Sequence, residues 1–141
     1  MVKSFFCPLK RLDDFSHDPL CAQIQLLLQM LRSQDDMIAR PPGPKKPPEA
    51  IALQQQVARF QSQFQKTLAA IAETDFPPTV EQRLRPLQTE AHRRSRLLGI
   101  EAMKLKTARS PETLTTVRSQ IKAHLQPLRQ FVQAIADEVC A

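Results

Sequence analysis

The stretch that decides the fold is residues 110–139, SPETLTTVRSQIKAHLQPLRQFVQAIADEV. It opens with Ser110-Pro111-Glu112, where the serine can cap a helix, the proline suits the first helical position and the acid favours the positive helix end. Apolar residues then follow at seven-residue spacing, with a second set beside them: Leu114, Ile121, Leu128 and Ile135, with Val117, Leu125, Val132 and Val139. This spacing predicts one long helix with a broad buried face, which Pro127 should kink.

The segment before it predicts a second long helix. Thr79-Val-Glu-Gln82 has the spacing of a capping box that opens a helix, and the pattern ends near Arg109. Pro86 should either kink this helix or mark its true start. On a helical wheel one stripe is apolar and predicts the core face: Leu84, Leu87, Ala91, Leu98, Ala102 and Leu105.

Two shorter helices are predicted in the first half of the chain. The first starts at Asp18-Pro19 and runs to about Arg40, with core positions Leu20, Ile24, Leu27, Leu28, Leu31 and Ile38. Residues 41–48 are proline-rich and predict an extended linker. The second runs from near Glu49 to before Asp75, with a narrow apolar seam of Leu53, Val57, Phe60, Phe64, Leu68 and Ile71. At about 1.5 Å per residue, the last two helices would be roughly 40 Å long and the first two nearer 30 Å.

Composition agrees with a helical protein. The chain has 141 residues, two glycines and no tryptophan or tyrosine, whereas sheets usually need glycine turns and aromatic or β-branched runs. We therefore predict an all-α fold, a four-helix up-down bundle with two long C-terminal helices, over residues 18–141. A phenylalanine-rich segment, residues 1–17, precedes it. This segment either packs across an open end of the bundle or docks on a partner or membrane surface.

Signals for catalysis or metal binding are weak. The three cysteines, Cys7, Cys21 and Cys140, are odd in number and lack metal-ligand spacing, so we expect neither a disulfide framework nor a zinc site. The histidines form no ligand set, and phosphate loops, nucleophile elbows and paired core carboxylates are missing from the sequence. No apolar run approaches the length that spans a bilayer. We expect a soluble cytoplasmic protein that is not an enzyme and takes no cofactor.

Positive charge is concentrated in one region. The formal net charge is +6, and residues 83–109 contain eight basic residues against Glu90 and Glu101. Such a concentrated field favours an acidic partner.

The second long helix has a further apolar stripe opposite its core face, ringed by cations. Its members are Arg85, Arg93, Arg96, Leu97, Ile100, Met103 and Lys104. Either this helix touches two neighbours while the basic side chains extend past the contact, or the stripe binds an acidic, partly apolar partner or a second subunit. Gly99 lowers helix propensity by about 1 kcal/mol relative to alanine, so we expect a close backbone approach there, as in a tight helix crossing.

The run RLLGIEAMKLKTARSP, residues 96–111, followed by an amphipathic C-terminal helix, resembles PatD, a small cyanobacterial family linked to the control of heterocyst frequency. The specific elements are Leu-Leu-Gly, the methionine four residues after the glycine and Ala-Arg before the last helix, about a third of the chain. Lys104 and Lys106 depart from the family pattern. The resemblance implies a cytoplasmic, non-enzymatic protein that binds the tubulin-like division protein FtsZ and promotes its assembly into filaments or bundles.

Two other functions remain open. A basic helical bundle could bind nucleic acid through phosphate contacts, although no aromatic residue interleaves with the cations for base stacking. The second stripe could also join two copies of the chain into a homodimeric structural adaptor.

Overall fold

The described part of the protein is entirely helical between its turns. A computed structural model describes the backbone of residues 8–40 and 46–140, and the side chains of residues 19–40 and 50–140. It contains α1 (Pro8–Ala39), α2 (Lys46–Glu73), α3 (Pro78–Thr107) and α4 (Pro111–Val139), and no strand occurs within those ranges. The all-α prediction is confirmed.

Each helix packs against the next one in the chain, and the last helix packs against the first. Backbone contacts join α1 to α2, α2 to α3, α3 to α4, and α4 back to α1, with α3 and α4 in the most extensive contact. Each helix therefore has two neighbours, which is the arrangement of an up-down four-helix bundle. This prediction is also confirmed.

The core lies along the bundle axis and uses the predicted stripes. All six predicted core positions of α1 are buried. In α2, α3 and α4 the apolar stripes are buried as well, except that Leu68, Leu87 and Leu114 are only partly buried against the core. Phe60 and Phe64 stack at the centre with ring centroids 5.5 Å apart. Spacing at three and four residues was therefore sufficient to identify the inward faces.

The prediction that the last two helices are the longest was wrong, because α1 and α2 begin earlier than expected. The four helices contain 32, 28, 30 and 29 residues. Pro19 lies inside α1 rather than at its start, so the Asp18-Pro19 cap pattern does not begin a helix here. Pro19 removes one backbone donor from α1 without ending the helix.

The start of α2 also corrects a prediction. Residues 46–48 belong to the first turn of α2 and not to the proline-rich linker. Prolines are tolerated there because the first amide groups of a helix have no partner within it. The rest of that linker, residues 41–45, lies outside the described residues.

The starts of α3 and α4 can be compared with their predicted starts. Pro77 caps α3 without a side-chain bond and Pro78 occupies its first turn, so the predicted Thr79 capping box is wrong. The fixed φ of Pro78 already suits a helix. α3 continues through Pro86, which is therefore not its start. At α4 the prediction is confirmed, since Ser110 Oγ accepts a bond from the Thr113 amide at 3.1 Å.

Two cysteines correct the expectation of no disulfide. Cys21 on α1 is bonded to Cys140, which caps the C-terminus of α4, 119 positions later in the chain. Spacing in sequence could not reveal this pair, because the bundle brings together residues from opposite ends of the chain. Cys7 and the side chains of the phenylalanine-rich segment lie outside the described residues.

In the described part of the chain, no helix combines the length and hydrophobicity needed to cross a membrane.

Candidate protein-binding surface

The second stripe of α3 is largely exposed. Six of its seven members are exposed and Leu97 is partly buried. Met103 is 68% exposed and Ile100 49%, and Leu26 and Ile51 elsewhere in the described residues are exposed to a similar degree as Ile100. The stripe therefore does not serve as a second buried face of α3.

The groove between α2 and α3 uses part of this stripe. Arg96, Ile100 and Met103 line the groove against α2. Arg93 and Lys104 lie close enough to α4 for their charges to lower the pKa of His124. Ile100 is seven residues after Arg93, so the stripe is continuous along α3 and the groove takes one part of it.

The groove between α2 and α3 has a volume of about 550 Å³. Val57 and Ala102 are buried at its base, and Ile100 and Met103 are exposed at its rim. The complete lining comprises Gln54, Gln55, Val57, Ala58 and Gln61 of α2 with Arg96, Gly99, Ile100, Ala102 and Met103 of α3. Apolar side chains in such an open groove, bordered by amides and a cation, can contact a partner that is both apolar and polar.

Gly99 permits a close contact at this groove. The amide Nε2 of Gln61 donates to the backbone carbonyl of Ser95 at 2.8 Å. A Cβ atom on residue 99 would collide with that same Nε2 and lie 3.3 Å from Gln61 Cδ. The group that approaches Gly99 is a side chain of α2 and not the backbone that was expected.

The cations of α3 differ in how they are paired. Arg93 lies 3.6 Å from Glu90, and Lys104 lies 3.0 Å from Glu101, one turn away on the same helix. Arg83 pairs with Glu138 of α4 at 2.8 Å. Within the described ranges, Arg85 and Arg96 have no carboxylate at ion-pair distance. Arg96 therefore brings an uncompensated positive charge to the groove.

His124 lies in the contact between α3 and α4 and has a structural environment. Arg94 Nη1 lies 3.4 Å from His124 Nδ1. Burial lowers the pKa of His124, and the positive charge of Arg94 lowers it further, against a smaller opposing effect of Glu101. The ring is therefore neutral at neutral pH, with Nδ1 able to accept from Arg94. Among the described side chains, no group of three histidine, cysteine or acidic residues could hold a metal ion.

Sequence reasoning missed the contribution of α2 to this surface. Gln54, Gln55 and Gln61 line the groove, and the only sequence signal was a run of uncharged polar residues beside the Leu53 and Val57 seam. Such a run is ordinary for an exposed helix face. Which face of α2 borders α3 depends on the packing of the whole bundle.

Comparison with known proteins gives no relative for this chain. No family model, curated protein or solved structure matches it.

Proposed function

We propose that this protein is a non-enzymatic binding protein that promotes or modulates the assembly of FtsZ filaments, and through it cell division and the frequency of cell differentiation. The observation that carries the binding role is the exposed pair Ile100 and Met103 beside Arg96, which has no carboxylate at ion-pair distance among the described side chains. FtsZ is chosen as the partner because residues 96–111 resemble the PatD family, and these residues include that pair.

The surface suits a filament as a partner. A net charge of +6 attracts acidic surfaces over a distance, and exposed apolar side chains add short-range contact. Individual contacts can be weak, since repeated sites along a polymer raise the effective affinity. A binding role in the cytoplasm follows from the same proposal.

The nucleic-acid alternative has less support. Arg83, Arg93 and Lys104 are each paired with a carboxylate, which reduces the charge available to phosphates. None of the residues that line the groove is aromatic, so the groove lacks the aromatic rings on which single strands stack.

Sedimentation with FtsZ tests the proposal. The purified protein, cognate FtsZ and GTP are centrifuged at low and near-physiological salt, and both proteins are measured in the pellet. We expect more FtsZ in the pellet, with this protein alongside it, and less of both at higher salt because screening weakens the basic contact. If neither protein sediments more in the presence of the other at either salt, the FtsZ proposal is wrong.

Variants locate the contact. Arg93→Glu with Arg96→Glu should reduce co-sedimentation, and Arg96→Glu alone should account for most of the loss because Arg93 is already paired with Glu90. Lys122→Glu is the matched control, since Lys122 is exposed on α4, which packs on α3 and α1 and not on α2. Equal losses in Arg96→Glu and Lys122→Glu would indicate net charge rather than this surface.

A further inference from the structure

The groove between α2 and α3 has the dimensions of a binding site for a short helix. We propose that it receives a helical segment of the partner, about two turns long, with two apolar side chains one turn apart and a carboxylate beside them. This inference rests on the proposed function, because it specifies the part of the partner that is bound.

The length of the bound helical segment follows from the residues that line the groove. They extend from Gln54 to Gln61 on α2 and from Arg96 to Met103 on α3, which is eight residues, or seven residue-to-residue steps, on each helix. At about 1.5 Å per residue this is roughly 10 Å, or two turns. The two helices run in opposite directions, so Gln61 faces the Arg96 end, as its bond to the Ser95 carbonyl requires.

Two alanines leave room in the groove for a bound helix. Ala102 is buried at its base and Ala58 is exposed on the α2 side, whereas the side chain of Gln61 lies against Gly99. Helices that pack closely have axes about 8–10 Å apart, and small residues at the contact allow that approach. Ile100 and Met103 then stand at the side, one turn apart, where they can contact apolar residues at the same spacing on the bound helix.

The charge of the groove indicates that the bound segment is acidic. Arg96 has no carboxylate at ion-pair distance within the described ranges, and its planar guanidinium can bind a carboxylate through two parallel hydrogen bonds. The amides of Gln54, Gln55 and Gln61 supply neutral donors and acceptors along the α2 side. An acidic helix therefore complements this groove, whereas a basic one is repelled.

A second copy of the same groove is a poorer occupant. None of the ten lining residues is acidic, so two copies related by a twofold axis would bring like charges together without a carboxylate between them. The partner segment must therefore supply its own acid.

Peptide binding followed at the methionines tests this inference. The probe is an alanine-based helical peptide of about 14 residues, long enough to hold a helix, with two leucines four positions apart and two glutamates beside them. Two matched peptides replace the glutamates by lysine or the leucines by serine. With isotope-labelled methionine methyl groups, NMR separates Met103 in the groove from Met30 and Met37, which are partly buried on α1.

We expect the glutamate peptide to shift the Met103 methyl signal in a saturable way while the Met30 and Met37 signals stay in place. Both altered peptides should bind at least tenfold more weakly. Ala58→Leu fills the groove and should abolish the shift. Ala69→Leu is the control, since Ala69 is exposed on the same side of α2 three turns further along.

The outcomes separate this inference from the proposed function. No Met103 shift at about millimolar peptide, or equal shifts with the lysine peptide, overturns the helical acidic segment even if FtsZ co-sediments. Loss of peptide binding in Ala58→Leu without loss of FtsZ co-sedimentation places FtsZ elsewhere. Peptide binding in a protein that does not sediment with FtsZ supports the groove and overturns FtsZ as the partner.

Discussion

The contact between α1 and α4 and the contact between α2 and α3 are built differently. α1 and α4 are joined by the Cys21–Cys140 disulfide and by an ion pair from Arg129 to Asp35 at 2.7 Å. Arg118 of α4 also donates to the Ile38 carbonyl at 2.7 Å. An open groove lies at both contacts, about 440 Å³ between α1 and α4 and about 550 Å³ between α2 and α3. Only the second is lined by exposed Ile100 and Met103.

Connectivity explains this difference. α2 and α3 are consecutive and joined by only four residues, so the chain itself keeps them adjacent. α1 and α4 come from opposite ends of the sequence, and bringing them together requires closing a long loop at an entropic cost. Covalent and polar links reduce or offset that cost. Among the described side chains, a disulfide and an ion pair join α1 to α4, and neither kind of link joins α2 to α3.

The largest expected effect is the loss of the disulfide. In a Cys7→Ser background, Cys140→Ser should lower the free energy of unfolding by roughly 2–5 kcal/mol, near the upper end because the closed loop is long. Chemical denaturation followed by circular dichroism measures this change. Peptide binding at the groove should be unaffected below the unfolding transition.

Reduction of the Cys7→Ser protein by excess dithiothreitol is the matched control and should give the same loss as Cys140→Ser. Equal denaturation midpoints for the oxidised and reduced forms would remove the disulfide from the comparison, leaving the polar contacts to hold α1 against α4.

Different parts of this molecule were predictable from sequence to different degrees. The inward face of α4 follows from spacing alone, because every residue in the seven-residue pattern reports the same local periodicity. The Cys21–Cys140 pair and the Gln61–Ser95 bond are long-range, and no local pattern specifies which outward face meets which neighbour. The exposed stripe of α3 was visible on a helical wheel, but which of its residues line the groove depends on where α2 lies.

A smaller effect is expected at the α2–α3 contact. Gly99→Ala should gain about 1 kcal/mol of helix propensity and lose a similar amount as Gln61 is pushed from the Ser95 carbonyl, so stability should change little. In a Gln61→Ala background the same substitution should stabilise by about 1 kcal/mol. Denaturant melts of the four proteins measure the coupling between the two residues.

Equal stabilisation by Gly99→Ala in both backgrounds would show that the Gln61 bond contributes nothing to stability. The α2–α3 contact would then be held by its apolar core and its short connection.

A still smaller effect is expected from the ion pair between α1 and α4. The side chains of Arg129 and Asp35 are 40% and 33% exposed, so solvent screens their attraction. A double-mutant cycle with Arg129→Gln and Asp35→Asn should give a coupling of about 0.5 kcal/mol at low salt, decreasing as salt is added. A coupling larger than the effect of removing the disulfide would mean that the Arg129–Asp35 ion pair, and not the disulfide, contributes most to the contact between α1 and α4.

The smallest expected effect concerns pH and the contact between α3 and α4, which lies between the two regions compared. The pKa of His124 is lowered from 6.5, chiefly by burial and then by Arg94. As pH falls through 6.5, the unfolded chain binds a proton before the folded one, so the free energy of unfolding decreases until the lowered pKa is passed and is then constant. The melting temperature of the wild type relative to His124→Gln should therefore decline between about pH 8 and about pH 5.

A His92→Gln variant is the control for the loss of a histidine from the same region. A constant difference between wild type and His124→Gln across this range would mean that folding does not change the proton affinity of His124, and that Arg94 and burial act on it too weakly to couple α3 to α4.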